Sequence, residues 1–235
     1  MKATEPKRIG YRFRFDDGRE KSFTVRLDPQ TLAIADPPVE NPPEWTRLEY
    51  QMCRNCALEP ARDTHCPIAV RIVDLIEMFR DAKSFEPVEV TVETDQRTYV
   101  RRTALQKGLS AILGIYMVSS GCPIMNRLRP MVDTHLPFAS GAETTYRTIT
   151  MYLMAQLFRK RWGEEPDFEL KHLTEMLEEI REVDIGFCGR LGSLNIQDAS
   201  LNAIVILTTL GEDATFTILE QNLDRWERLF REHYR

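Results

Sequence analysis

A chain of 235 residues with 43% hydrophobic residues can bury one large core, and its 29% charged residues sum to a formal net charge of −5. That balance argues against a sequence-independent nucleic-acid binder, which needs a basic surplus to displace counterions, and the local basic patches at 97–102 and 159–161 read as a solvated strand edge and a helix C-terminus. The N-terminal stretch MKATEPKRIGYRFRF has no apolar run of signal-peptide length, and the strongest apolar runs, 109–118 and 201–207, are too short to span a bilayer, so a cytoplasmic chain is expected.

The chain opens as a β-hairpin. Ile9, Tyr11, Phe13 and Phe15 alternate with polar residues, Asp16-Asp17-Gly18 turns, and Phe23, Val25 and Leu27 alternate again. Asp28-Pro29 stops the strand, and a short piece over 32–34 is a candidate third strand. Residues 37–43 carry four prolines, which suit neither a sheet interior nor a helix. This gives an N-terminal hairpin region over 1–36, a Pro-rich linker over 37–45 and a cysteine-rich core over 46–235. A second strand pair follows, with Val88, Val90 and Val92 alternating and 98–101 returning; it is expected to share one antiparallel sheet with the first hairpin, because an isolated hairpin is marginal.

The remainder reads as about six helices, so the fold class is α+β, a small antiparallel sheet packed against a mainly helical core. Val70, Val73, Ile76 and Phe79 mark a helix over 66–81. Thr103 to Gln106 spells a capping box ahead of Leu105, Leu109, Ile112, Leu113 and Tyr116, a helix that ends at Gly121. Ser140 to Glu143 spells another, ahead of an apolar stripe of Tyr146, Ile149, Leu153, Met154 and Leu157 that ends at Gly163. Leu170, Leu173, Leu177 and Ile180 mark a further helix, and Asp198 is placed to cap the one carrying Leu201, Ile204 and Val205. Phe216, Leu219, Leu223, Trp226 and Phe230 form a last heptad-like stripe, which reads first as a cover for the core and second as a surface for a protein partner or a homodimer.

Five cysteines in a chain without an export signal read as thiols or metal ligands, not as a disulfide framework. Cys53-Arg54-Asn55-Cys56 has the spacing that wraps two thiolates around one tetrahedral ion. Cys66 and Cys122 each precede a proline. Proline favours the first helical position, so each thiol is expected at a helix start, facing unpaired N–H groups that lower its pKa and favour the metal-binding thiolate. Cys53, Cys56, Cys66 and Cys122 are therefore the candidate metal ligands. Zinc is the expected ion; an iron–sulfur cluster accepts the same four thiolates and spacing does not separate the two. A dithiol redox pair at Cys53 and Cys56 is the competing chemistry, and Cys188 reads as core packing.

His135, in Asp133-Thr134-His135-Leu136-Pro137-Phe138, is a further candidate: a substitute ligand, a donor to a metal-bound sulfur, or a general acid or base in a pocket with Ser119 and Arg147. His65, beside Cys66, is a weaker ligand candidate. No Gly-x-Gly-x-x-Gly, P-loop or Gly-x-Ser-x-Gly pattern is present, and no catalytic residue can be assigned.

At Trp45-Thr46-x-Leu48-Glu49, the three clustered cysteines, Ser120-Gly121-Cys122-Pro123 and His135-Leu136-Pro137-Phe138, the chain resembles a bacterial family of unknown function, over about 11–207. The resemblance implies a bacterial, cytoplasmic setting and groups the four cysteines with His135. It implies no activity. Three functions compete: a metal-stabilised regulatory or interaction module, an enzyme or small-molecule sensor with a pocket near His135, and an iron–sulfur redox or sensing protein.

Overall fold

The computed structural model describes residues 5–220 and 222–234. Its strands are β1 (Lys7–Phe15), β2 (Glu20–Leu27), β3 (Pro87–Thr94) and β4 (Thr98–Ala104), and they form one antiparallel sheet in the order β2-β1-β3-β4. The two hairpins share this sheet because β1 pairs with β3, with Tyr11 opposite Val92, Phe13 opposite Val90 and Phe15 opposite Val88. Those side chains are buried on one face. The other face carries Arg12 and Arg14, which reach Glu93 and Glu89 at 3.8 and 2.6 Å. Period-2 alternation thus separates a dry face from a wet one. The segment 32–34 contributes an isolated bridge, Leu27 to Ile34, in place of a third strand.

The α-helices are α1 (Pro67–Arg71), α2 (Val73–Met78), α3 (Leu105–Ser119), α4 (Gly141–Arg161), α5 (Lys171–Gly192), α6 (Ala199–Leu219) and α7 (Asp224–Phe230). With the sheet they make an α+β fold, as expected. Helix α3 is the central element. Leu105, Leu109, Ile112, Leu113 and Tyr116 are all buried, and each contributes roughly 1.5–3 kcal/mol by leaving water. Gly108 lets α3 lie directly on the sheet: a Cβ there would stand 2.6 Å from Phe13 and 2.9 Å from Val90.

Several sequence expectations are corrected in detail. Helix α3 has no Thr103 capping box, because β4 runs straight to Ala104 and the first N–H groups find other acceptors. Leu105 N donates to Glu86 O at 2.9 Å and Gln106 N to Ser84 O at 3.0 Å. The expected helix over 66–81 is two short helices broken at Ile72. The Ser140–Glu143 capping box is present in both directions. The α4 stripe, however, is turned: Thr145, Thr148, Tyr152 and Gln156 are buried beside Ile149, while Tyr146, Met154 and Leu157 are exposed. Asp198 stands before α6 but does not cap it; its carboxylate instead accepts from Ser84 N, Ser84 Oγ and Asn202 Nδ2. The heptad-like stripe is not one helix, since α6 stops at Leu219 and α7 starts at Asp224. By length and composition α6 could cross a membrane, with 21 residues and a mean hydropathy of 1.2, because the helix extends well beyond the apolar run read at 201–207; here it packs along α3, α4 and α5.

Candidate functional site

Helix α5 builds the floor of the cysteine region. Glu179, Val183, Gly186, Arg190 and Ser193 recur at three- and four-residue spacing and form one stripe that meets the 45–56 segment. Asn55 Nδ2 donates to Glu179 O at 2.8 Å, the Cys53 thiol faces Val183 O at 3.8 Å, and the Tyr50 hydroxyl meets Ser193 Oγ at 2.8 Å. At Gly186 the approach is so close that a Cβ would stand 2.8 Å from Cys53 Sγ and 3.0 Å from its Cα.

Arg190 holds this segment by its backbone. Its Nη1 donates to Trp45 O at 2.6 Å and Arg47 O at 2.7 Å, and its Nη2 to Leu48 O at 3.3 Å and Gln51 O at 3.4 Å. The side chain is 2% exposed, and among the described residues no carboxylate lies within ion-pair distance of it. The groups of opposite polarity around it are the thiols of Cys66, Cys53 and Cys56 and the Tyr50 hydroxyl. Sequence reasoning missed Arg190, although a polar residue in the periodic apolar run of α5 was a signal for it.

The two Cys-Pro steps abut. Gly121, at φ +108°, lies where a Cβ would meet Pro67 at 3.8 Å. Cys66 is the N-cap residue of α1, with Pro67 at the first helical position, but its sulfur makes no capping hydrogen bond, and Cys122 stands ahead of a 3-10 helix whose N-cap is Ile124. Nearby backbone N–H groups, of Ala69 and Ile68 at Cys66 and of Met125 and Ile124 at Cys122, still pull each thiol's pKa down. The helices themselves are minor, five residues of α1 and a 3-10 turn over Met125–Val132, so the local N–H groups act and not a long dipole. Their effect on the pKa is outweighed. Burial pushes the Cys66 and Cys122 thiols up despite those donors. Cys53 is lifted to about 12, by burial first and then by the charges of Cys66, Cys56 and Cys122. The expected lowering of these pKa values is thus corrected to a rise, because burial outweighs the nearby amides.

The four sequence-predicted cysteines are thus electrostatic neighbours. Among the described residues, however, no three His, Cys, Asp or Glu side chains stand close enough, as placed, to hold one ion. Cys188 is half-buried and packs against the core. His65 is turned to Thr46, its Nδ1 2.9 Å from Oγ1.

His135 lies elsewhere, against the sheet. Its Nε2 is hydrogen-bonded to the Tyr11 hydroxyl at 2.7 Å. Burial, then the charges of Arg147 and Lys7, push its pKa down to about 4, so the ring is neutral near pH 7. It lines a cavity of about 520 Å³ enclosed by α3, α4, α5, α6 and the segment 125–140. Arg147 and Thr144 line it too; Ser119 and the cysteines do not. Ser119 is buried with its Oγ unpartnered, and Glu143 is committed to the Ser140 cap. One lining residue was overlooked: Asp184, 3% exposed, with Oδ1 unpartnered and its pKa lifted to about 7 by burial.

No curated protein and no solved structure matches the chain. A family model does match residues 9–231, nearly the whole chain, and it spans the sheet, the cysteine segments and the His135 cavity together. The chain therefore belongs to the family described as Domain of unknown function (DUF6901).

Proposed function

We propose that this protein is a metal-stabilised regulatory or interaction module in which Cys53, Cys56, Cys66 and Cys122 together hold one ion, zinc. Arg190 carries this reading. A buried guanidinium without a carboxylate partner is costly, and thiolates held by a cation are the counter-charge that its position supplies. Four thiolates around a divalent cation sum to a net charge of about −2, which Arg190 and the N–H groups at Cys66 and Cys122 offset. Ionised without a cation, four neighbouring thiols repel one another. A cation among them reverses the sign of their interaction and displaces their protons. A set of four sulfurs leaves no open coordination position, which favours a structural role over a catalytic one. The surroundings of His135, with Tyr11, Arg147 and Lys7 and no cysteine, favour four sulfurs over three sulfurs and a nitrogen.

The same four thiolates would also accept an iron–sulfur cluster, and the first measurement separates the two. Protein purified without chelator should be colourless and carry about one zinc per chain, and X-ray absorption should fit four sulfurs near 2.3 Å. Visible absorption bands would assign the cluster instead. Cys53→Ser and Cys56→Ser should lower the melting temperature well below that of Cys188→Ser. A protein that neither carries nor takes up metal, with equal melting temperatures for these variants, overturns the proposal. A second reading, a small-molecule sensor or enzyme with a pocket beside His135, is favoured by the 520 Å³ cavity that His135 lines.

A further inference from the structure

The cavity has a polarity of its own. At about 520 Å³ it is in the usual size range of small-molecule sites. Its walls are mostly apolar, with Met117, Leu128, Met131, Ile180 and Leu207 among them. Four cations line it: Arg181 is paired with Glu212 at 2.9 Å, while Arg101 and Arg147, which share Glu143 as a neighbour and mark one end, and Lys107 are not. No carboxylate stands within ion-pair distance of these three among the described residues, and the Glu143 carboxylate near the two arginines is held by the Ser140 cap. Arg101 and Arg147 use part of their guanidinium donors on Phe138 O, Met131 O and Thr134 O, which fixes where the remaining donors point.

Farther along α6 the character changes. Thr208 lies beside the Asp184 carboxyl, and Asp213 lies beside Gly141 near the cationic end. Those two α6 positions are five residues apart, an axial rise of roughly 7–8 Å. The carboxyl of Asp184 thus interrupts an apolar wall deep in the cavity, with one oxygen unpartnered. A buried oxygen of this kind is costly unless something donates to it.

We propose that this cavity binds an amphipathic organic anion: a carboxylate, sulfate or phosphate group at the end that Arg101 and Arg147 mark, a medium-length apolar chain inside, and a hydroxyl or amino group part-way along the chain donating to Asp184. The proposal deepens the sensor reading by naming a ligand class, and it does not depend on the metal, since no cysteine lines the cavity.

The test is calorimetric titration of the full-length protein, below micellar concentrations, with decanoate, decyl sulfate, decyl phosphate, decanol, decylammonium and a decanoate hydroxylated in mid-chain. Metal content is measured in the same samples, so a failure of the metal reading is seen separately. The anions should bind one per chain, decanol more weakly and decylammonium weakest. The order among the three head groups identifies which acid the mouth prefers. Arg101→Gln and Lys107→Gln, both exposed, should each weaken the anions by up to about fivefold and leave decanol unchanged. Asp184→Leu should abolish the advantage of the hydroxylated chain over decanoate. Gly211→Leu is the decisive variant. Gly211 lines the cavity and a Cβ there meets nothing within 4 Å, so the side chain should fill the space without strain, preserve the melting temperature and weaken binding more than tenfold. Absence of binding by every anion, equal binding of decylammonium, or unchanged binding by a folded Gly211→Leu overturns the proposal.

Discussion

Asp184 makes stability depend on pH in a direction opposite to that of most carboxylates. In the folded protein burial lifts its pKa from 3.8 to about 7, against a weaker pull from Thr208. In the unfolded chain the group titrates near 3.8, so the folded state binds the proton more tightly. Its contribution is therefore fully present below about pH 4 and is lost as pH rises through about 7. About 3 pKa units at roughly 1.4 kcal/mol each give a loss on the order of 4 kcal/mol, large beside the ~5–15 kcal/mol net stability of a domain. Asp184→Asn keeps the shape and removes the titration. Urea denaturation of both proteins between about pH 4 and 7.5 isolates the effect, because the other titrating groups cancel in the difference. The Asn variant should gain on the wild type steadily as pH rises. A constant difference, or one that shrinks with pH, would refute the burial argument.

The remaining expectations address the neighbouring elements. Arg190→Met should cost on the order of 3–5 kcal/mol in chemical denaturation, because the carbonyls of Trp45, Arg47, Leu48 and Gln51 lose their donor together; Arg190→Lys should restore only part, since an ammonium lacks the planar fork. Gly186→Ala should cost about 1–3 kcal/mol by driving a Cβ to 2.8 Å from Cys53 Sγ, whereas Gly189→Ala, meeting only Gln51 Oε1 at 3.7 Å, should be neutral or stabilising; thermal melts of the pair check the difference. His135 should titrate well below its ordinary 6.5 in an NMR pH series, and with the opposite sign to Asp184: the stability it contributes above pH 6.5 is lost as pH falls toward about 4.

The sheet was legible in the sequence because β alternation is local. Ile9, Tyr11, Phe13 and Phe15 declare a buried face whatever lies above it, and Asp16-Asp17-Gly18 declares the turn. The Ser140 cap and the place of Cys66 at a helix start were legible for the same reason, being set by residues within one turn. Other features depended on residues far away in the chain. The α4 stripe looked like a core face, yet the packing of α6 and the 125–140 segment turned a more polar face inward. The pKa of Cys66 depended on its burial as well as on the amides that sequence could point to. Arg190 and Asp184 stood in plain view on the apolar run of α5, but only the tertiary structure sends one under the cysteine loop and the other into the cavity. They lie six residues apart on a helix of 3.6 residues per turn, so they leave it on different faces, and what each face meets was decided by the packing of the whole chain.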